Sequence, residues 1–252
     1  VGERILVYGQ PGTGKSYQFL KIARFVAPAR CYVLDTDDTY PRMLETEFRD
    51  LENIEVYPVF AWEDWRAAVM DVLAKAQPGD WICIDRADVM WQAAQEYFVE
   101  QVFGEEPGDF FIHARREYER IKRDDPKKGF VPLDGYKDWT IINRVYKQLW
   151  NRLIVPNMPA SLYVVTTAAQ IEKQDEQEIQ ETFSFLGVKP EGQKHLPYSV
   201  HTILYFDRIK EGWRVTTVKD RGRKYLDKQK LVNLAYQYLV GIAGWKVEAG
   251  GE

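Results

Sequence analysis

Short continuous apolar runs alternate along the first third of this chain with stretches in which apolar residues recur every three or four positions. Residues 4 to 8, Arg-Ile-Leu-Val-Tyr, form the first run and end at a glycine-rich segment, after which Tyr17 to Val26 carry apolar side chains at helical spacing. Strand, loop and helix are predicted in that order. Pro28 stops the helix, and Cys31 to Leu34 make a second run ending in Asp35, Asp37 and Asp38. A helix over 41 to 50, a strand over 54 to 59, a helix over 62 to 76, the Pro78-Gly79 turn and a buried strand from Trp81 to Asp85 follow. Buried strands separated by amphipathic helices predict a parallel sheet covered on both faces, because each crossover helix must bury its apolar stripe against the sheet.

The middle of the chain is less regular. It predicts a helix over about 88 to 103, a break from Gly104 to Asp109, and a charged stretch through Lys128. Trp139 to Val155 reads as a helix with Ile142, Val145, Tyr146, Leu149 and Leu153 on one face. Leu162 to Thr167 is a further buried strand. Residues 171 to 181 hold five acidic side chains and one lysine, the composition of a solvated loop or frayed helix. Two closing strands, His201 to Phe206 and Trp213 to Val218, flank a turn at Glu211-Gly212, and a terminal helix is expected over about 227 to 241. The fold class is α/β: a mainly parallel sheet with helices on both faces and antiparallel strands near the C-terminus. One domain over 1–252 is expected, with an inserted helical and charged segment at about 88 to 158.

Composition narrows the picture modestly. At 252 residues and 45% hydrophobic content, one core is expected. A formal net charge of -4 argues against coating nucleic acid through the whole surface, so any such contact is regional. Cys31 and Cys83 lie inside apolar runs and read as small buried hydrophobes. His113, His195 and His201 have no metal-ligand spacing and read as structural. No apolar run reaches the ~18 residues that cross a bilayer, and a soluble cytoplasmic protein with no membrane partner is expected.

The chemistry begins in the loop Gly9-Gln10-Pro11-Gly12-Thr13-Gly14-Lys15-Ser16, which matches the G-x-x-x-x-G-K-[ST] phosphate-binding pattern between a strand and a helix. Glycines turn successive N–H groups toward one point, the helix N-terminus adds positive potential, and Lys15 supplies a mobile charge for the β- and γ-phosphates. The expected ligands are ATP and Mg2+, with Ser16 and Asp85 as the metal-binding pair, Asp85 ending its strand in the manner of a Walker B acid. An alternative role for Asp85 is capping the following helix. Orientation of the attacking water falls to Asp35 or Asp37, with Asp37 preferred, and Thr167 and Gln170 are candidates for a hydrogen bond to the γ-phosphate. Residues 113 to 128 hold seven Arg or Lys against four acids, and Arg115, Arg116, Arg120, Lys122, Arg123, Lys127 and Lys128 are candidates for a nucleic-acid backbone, with Phe130, Tyr136 and Trp139 able to stack on bases. The alternative is a solvated helix face.

The order of motifs resembles the RecA-like ATPase core shared by strand-exchange recombinases, RadA and DnaB-type helicases. The matching residues are the phosphate loop, Val33-Leu34-Asp35-Thr36-Asp37, the strand ending in Asp85 and the strand ending in Thr167. The resemblance implies that the acid activating water falls on Asp37, where the family usually has Glu. It also implies that Lys219-Asp220-Arg221-Gly222-Arg223 contains the Lys-x-Arg finger, on Lys219 and Arg221, that reaches a neighbouring subunit's γ-phosphate. A homo-oligomer with active sites at subunit interfaces follows from it.

More narrowly the chain is similar to phage-encoded RecA-like nucleotide-binding proteins, including the Sak-type single-strand annealing ATPases, in its compact size and in Gly192-Gln193-Lys194 followed by a strand and Lys-Asp-Arg. That similarity implies an ATPase acting on single-stranded DNA in recombination or replication within a phage-infected host cell. The alternatives are an ATPase motor or switch in virion assembly or DNA packaging, and a small-molecule kinase built on the same loop.

Overall fold

Alternation of side chains along the central strands explains the architecture. The computed structural model describes residues 2–125, 127, 132–134, 136–156, 158–210, 212–221 and 230–232. Strands β1 (Arg4–Gly9), β2 (Cys31–Asp35), β3 (Ile54–Pro58), β4 (Trp81–Asp85), β5 (Ser161–Thr166), β8 (Thr202–Ile209), β9 (Gly212–Asp220) and β10 (Lys230–Val232) form one eight-stranded sheet in the order β10-β9-β8-β1-β5-β4-β2-β3. Every pairing from β3 to β8 is parallel, and β9 and β10 continue the edge antiparallel.

Ile5, Val7, Cys31, Val33, Cys83, Tyr163 and Val165 turn to the face covered by α1 (Lys15–Val26) and by Tyr40 of α2 (Thr39–Glu45). Leu6, Tyr8, Leu34, Ile82, Ile84, Leu162 and Val164 turn to the other, covered by α3 (Trp62–Lys75), α4 (Ala87–Phe103) and α6 (Lys137–Leu153). Continuous apolar strands are what burial on both faces requires. Cys31 and Cys83 are buried free thiols, as expected.

The departures from the expected elements are local. The helix expected over 41 to 50 is the shorter α2, because Thr46 to Asp50 leave the helix as a turn. The charged stretch is largely a helix, α5 (Pro107–Asp124), which seats Phe110 in a small cluster with Phe98, Val99, Leu133 and Ile142. Within 171 to 181 only the start is loop: α7 (Gln177–Phe183) buries Ile179 and Phe183, and Asp175 and Glu176 pair with Lys189 and Lys194. A small hairpin of β6 (Ala168–Gln170) and β7 (Val188–Pro190) frames that segment and was not foreseen. The helix expected over 227 to 241 is contradicted at 230–232, where β10 extends the sheet by pairing with Arg214 to Thr216; the remainder of that span lies outside the described residues.

Candidate phosphate site at the carboxyl end of the sheet

The phosphate loop is built by close approach and by glycine. A Cβ on Gly9 would lie 2.1 Å from the Phe206 carbonyl oxygen, so β1 and β8 run together as far as the loop only because that position lacks a side chain. Gly14 opens α1 at φ 84, a conformation that glycine adopts without penalty. Thr13 Oγ1 donates to the Gln10 carbonyl at 2.8 Å, and Tyr163 Oη donates to the Lys15 carbonyl at 3.0 Å, which tie the loop to itself and to β5.

Loop residues Pro11 to Ser16 line a cavity of about 330 Å³ together with Asp37, Thr39, Asp85, Arg86 and Thr167. Lys15 Nζ donates to the carbonyls of Gly9 and Gln10, each at 2.9 Å. Burial pushes its pKa below the ordinary lysine value and Arg86 adds to that, while Asp85, Asp88 and Asp37 oppose it. An anion delivered to this cavity meets a desolvated ammonium and the N-terminus of a twelve-residue helix.

Ser16 Oγ donates to Asp85 Oδ2 at 2.5 Å. Burial raises the Asp85 carboxyl to about 6, with the Ser16 hydrogen bond pulling the other way. A hydroxyl and a carboxylate converging beside phosphate-binding amides form a hard oxygen donor set that fits Mg2+, which takes one or two protein oxygens and completes its shell from phosphates and water. Among the described residues no cluster of three or more His, Cys, Asp or Glu is arranged for a metal.

The two acids after β2 have different surroundings. Asp35 is buried and accepts the backbone N–H groups of Asp37, at 3.4 Å, and Tyr40, at 3.2 Å, serving the first turn of α2. Burial raises its pKa, and those two N–H groups lower it. Asp37 is exposed and lines the cavity. Thr167 lines it too, its hydroxyl donating to Asp88 at 3.2 Å and to Glu191. Gln170 does not: it lies on β6, against a second cavity with Lys189, Glu191 and Lys194.

Two neighbours of the loop escaped the sequence pattern. Arg86 lines the cavity immediately after Asp85. Trp213, at the start of β9, donates from Nε1 to the Gly12 carbonyl at 3.5 Å. The only advance signal for Trp213 was a large aromatic beside the closing turn, which does not indicate what it touches.

Lys219 and Arg221 lie at the other end of the sheet. Lys219 pairs with Ile203, and Arg221 N–H donates to the His201 carbonyl at 2.8 Å, whereas the phosphate loop begins beside Phe206. Strand geometry therefore separates Arg221 from its own loop by roughly 15 Å or more. Lys219 Nζ donates to the Pro197 carbonyl at 2.7 Å, and both residues line a cavity of about 600 Å³ with α7. Of the candidates for nucleic acid, Arg115 pairs with Glu119 and Arg120 with Glu117, both at 2.5 Å on α5. Arg116, Lys122 and Arg123 stand on the same helix and Lys127 just beyond it, whereas Lys128, Phe130, Gly222 and Arg223 lie outside the described residues. Trp139 packs on Trp91 with centroids 6.2 Å apart, and Tyr136 is 84% exposed.

Residues 2–106 match the family of AAA domains. No curated protein matches the chain. Among solved structures, the RadB recombinase is similar at 12% identity and a TM-score of 0.53, over 91% of this chain and 85% of that one. An ATPase from the type III secretion system of pathogenic bacteria gives 13% identity and a TM-score of 0.44, over 82% of this chain and 52% of that one. The assembled ATPase EscN, solved with its central stalk EscO from enteropathogenic E. coli, gives 11% and 0.47, over 82% and 42%. Among the described residues no helix is long and apolar enough to cross a membrane. Residues 2–106 thus match an AAA-type domain, within a chain whose described fold is RecA-like.

Proposed function

We propose that the protein is a magnesium-dependent ATPase that works as an oligomer on single-stranded DNA, of the phage-encoded RecA-like kind used in recombination or replication. The observation that carries the ATPase reading is the convergence of Lys15, Ser16 and Asp85 on one cavity, with Ser16 Oγ 2.5 Å from Asp85 Oδ2. Loop amides and Lys15 bind the phosphates, and Ser16 and Asp85 hold the metal. When bound, Mg2+ neutralises and orients the β- and γ-phosphate oxygens. Asp37 orients the attacking water and accepts its proton. The water oxygen bonds to the γ-phosphorus, the bond to the bridging oxygen breaks, and ADP and phosphate leave. Thr167 lines the phosphate cavity and holds Asp88 beside it. Arg221, remote from its own loop, serves the loop of an adjacent copy, with Lys219 beside it held on the Pro197 carbonyl.

The DNA reading rests on the resemblance of the motifs and on the cations of α5. A second reading, a switch acting on a protein partner, is favoured by Val102, Phe103, Phe111 and Ile112, apolar side chains of α4 and α5 that are 40% to 55% exposed. The deciding experiment is the ATP turnover rate with and without single-stranded DNA across a salt series. Stimulation that weakens as salt rises is expected, because phosphate contacts release counterions. Turnover indifferent to DNA at every salt concentration selects the protein-directed reading.

A further inference from the structure

Arg86 combines three properties that no ordinary strand-end residue has together. Its backbone sits at φ 128, ψ 103, outside the regions open to a residue with a Cβ, and such conformations persist where the surroundings enforce them, most often at functional sites. Its side chain lines the same cavity as Lys15, Ser16 and Asp37, although a second cation beside Lys15 is unfavourable until an anion arrives. Its Nε is buried without a hydrogen-bond partner, which leaves a desolvated guanidinium donor unused.

The partner that does hold Arg86 is itself held. Arg86 Nη2 donates to Asp88 Oδ2 at 2.7 Å. Asp88 also accepts from Thr166 Oγ1 at 3.1 Å and Thr167 Oγ1 at 3.2 Å, at the end of β5. Thr166 Oγ1 donates in addition to the Glu191 carbonyl at 2.8 Å, and Glu191 N–H donates to the Thr167 carbonyl at 3.0 Å. A Cβ on Gly192 would come within 3.4 Å of Asp88 Cα, so the segment after β7 lies directly against this cluster. The sequence Arg86, Asp88, Thr166 and Thr167, Glu191 is a continuous polar path from the phosphate cavity to the β6–β7 hairpin.

We infer that Arg86 is a catalytic cation supplied to the terminal phosphate from within the same subunit, and that Asp88 is the positioning residue that exchanges it with that phosphate. A planar guanidinium fork matches phosphate oxygens as well as it matches a carboxylate, so the exchange trades one charge-assisted pair for another. ATP draws Arg86 from Asp88, while ADP lacks the phosphate that competes for it. The freed Asp88 then rests on Thr166 and Thr167 alone, and the hairpin senses which nucleotide is bound. The inference rests on the ATPase reading above and adds a residue to it.

The test measures Mg-ATP and Mg-ADP affinity by calorimetry, with ATP turnover and amide hydrogen exchange, in the wild type, Arg86→Ala, Arg86→Gly, Arg86→Lys and Asp88→Asn. Arg86→Ala and Arg86→Gly are expected to lower the preference for ATP over ADP by about tenfold or more, the size of a lost charge-assisted contact, and to lower turnover with it. ADP affinity stays unchanged, and Arg86→Lys restores part of the preference. Arg86→Gly also melts higher than the wild type, because glycine takes this backbone conformation freely. Asp88→Asn is expected to raise the preference for ATP and to erase the ATP-versus-ADP difference in exchange of the β6–β7 amides. An unchanged ATP-to-ADP ratio in both Arg86→Ala and Arg86→Gly, with Lys15-dependent ATP binding intact, overturns this inference alone. A folded wild type that binds no ATP overturns it together with the reading beneath it.

Discussion

The two ends of the sheet hold cations in opposite company. At the carboxyl end, burial depresses Lys15 while Asp85, Asp88 and Asp37 stand close enough to oppose the shift. At the amino end, burial depresses Lys219, Arg221 adds to the shift, and Glu178 alone opposes it. The first end carries its own carboxylates, a hydroxyl, a helix N-terminus and loop amides, the groups the proposed phosphate and metal site uses. The second end sets Lys219 and Arg221 beside a cavity that Glu178 and Asp220 also line, with no phosphate-loop amides among its described lining residues. In the proposed assembly the first end receives the nucleotide and the second faces a neighbouring copy.

The largest effect tests the first end. Lys15→Ala is expected to lower ATP turnover by ~10³ or more, because the loop then lacks its mobile charge on the β- and γ-phosphates. The melting temperature stays near that of the wild type, since among the described residues Nζ donates only to the loop carbonyls of Gly9 and Gln10. Undiminished turnover in folded Lys15→Ala protein removes the basis of the comparison.

The next effect tests the second end. Arg221→Ala is expected to lower turnover by up to ~10³, the scale of a cation supplied in trans, with ATP affinity nearly unchanged. Specific activity rises with protein concentration in the wild type. Mixing Arg221→Ala with Lys15→Ala protein restores part of the rate, because some junctions then join an intact loop to an intact cation. Concentration-independent turnover with no rescue on mixing shows the two ends to be independent.

A smaller effect separates the two acids after β2. Asp37→Asn keeps ATP binding and slows hydrolysis by about a hundredfold, as loss of a water-orienting group does. Asp35→Asn acts on stability, by about 1–3 kcal/mol, because its carboxylate accepts two backbone donors at the start of α2 and is buried. Urea unfolding and single-turnover kinetics on both variants read the two outcomes separately, and exchanged roles reassign the catalytic acid.

Legibility in the sequence followed the length and burial of each element. The buried strands and the phosphate loop were readable because continuous apolar runs and a glycine-lysine-serine motif have few other physical meanings. Helix α5 was hidden by its charge: Phe110, half-buried Ala114, Tyr118 and Ile121 do recur at three to four residues, but most positions between Ala114 and Asp124 are charged and Phe111 and Ile112 blur the stripe. Strands β6 and β7, of three residues each, are too short for a period of two to register. Arg86 was invisible because nothing in an arginine signals a positive φ, and its partner Asp88 reaches Thr166 and Thr167 only through the parallel pairing of β4 and β5. Asp35 and Asp37 were narrowed to two by sequence and told apart only by which of them the fold buries.

The smallest effect distinguishes the two cations at the amino end. Burial brings the Lys219 ammonium down to about 8 from its ordinary value, whereas arginine keeps its charge through this range. A finger carried by Lys219 makes turnover of the assembled protein fall as pH rises through about 8; one carried by Arg221 leaves turnover flat there. We expect the flat profile, since Lys219 is already committed to the Pro197 carbonyl. The same shift has a stability consequence of fixed sign. With the folded-state value below the unfolded one of ~10.4, the unfolded chain holds more protons between about pH 8 and ~10.4, so stability rises with pH across that window and is lost again as pH falls through about 8. Lys219 is half-exposed, and solvent screening holds the change to under ~1 kcal/mol. Melting curves of the wild type and Lys219→Met from about pH 7.5 to about 10 should therefore converge toward high pH in the direction that favours the wild type. Parallel curves would mean that Lys219 titrates as a solvated lysine, fully charged at neutral pH, and would return it to contention as the residue that reaches the neighbouring phosphate.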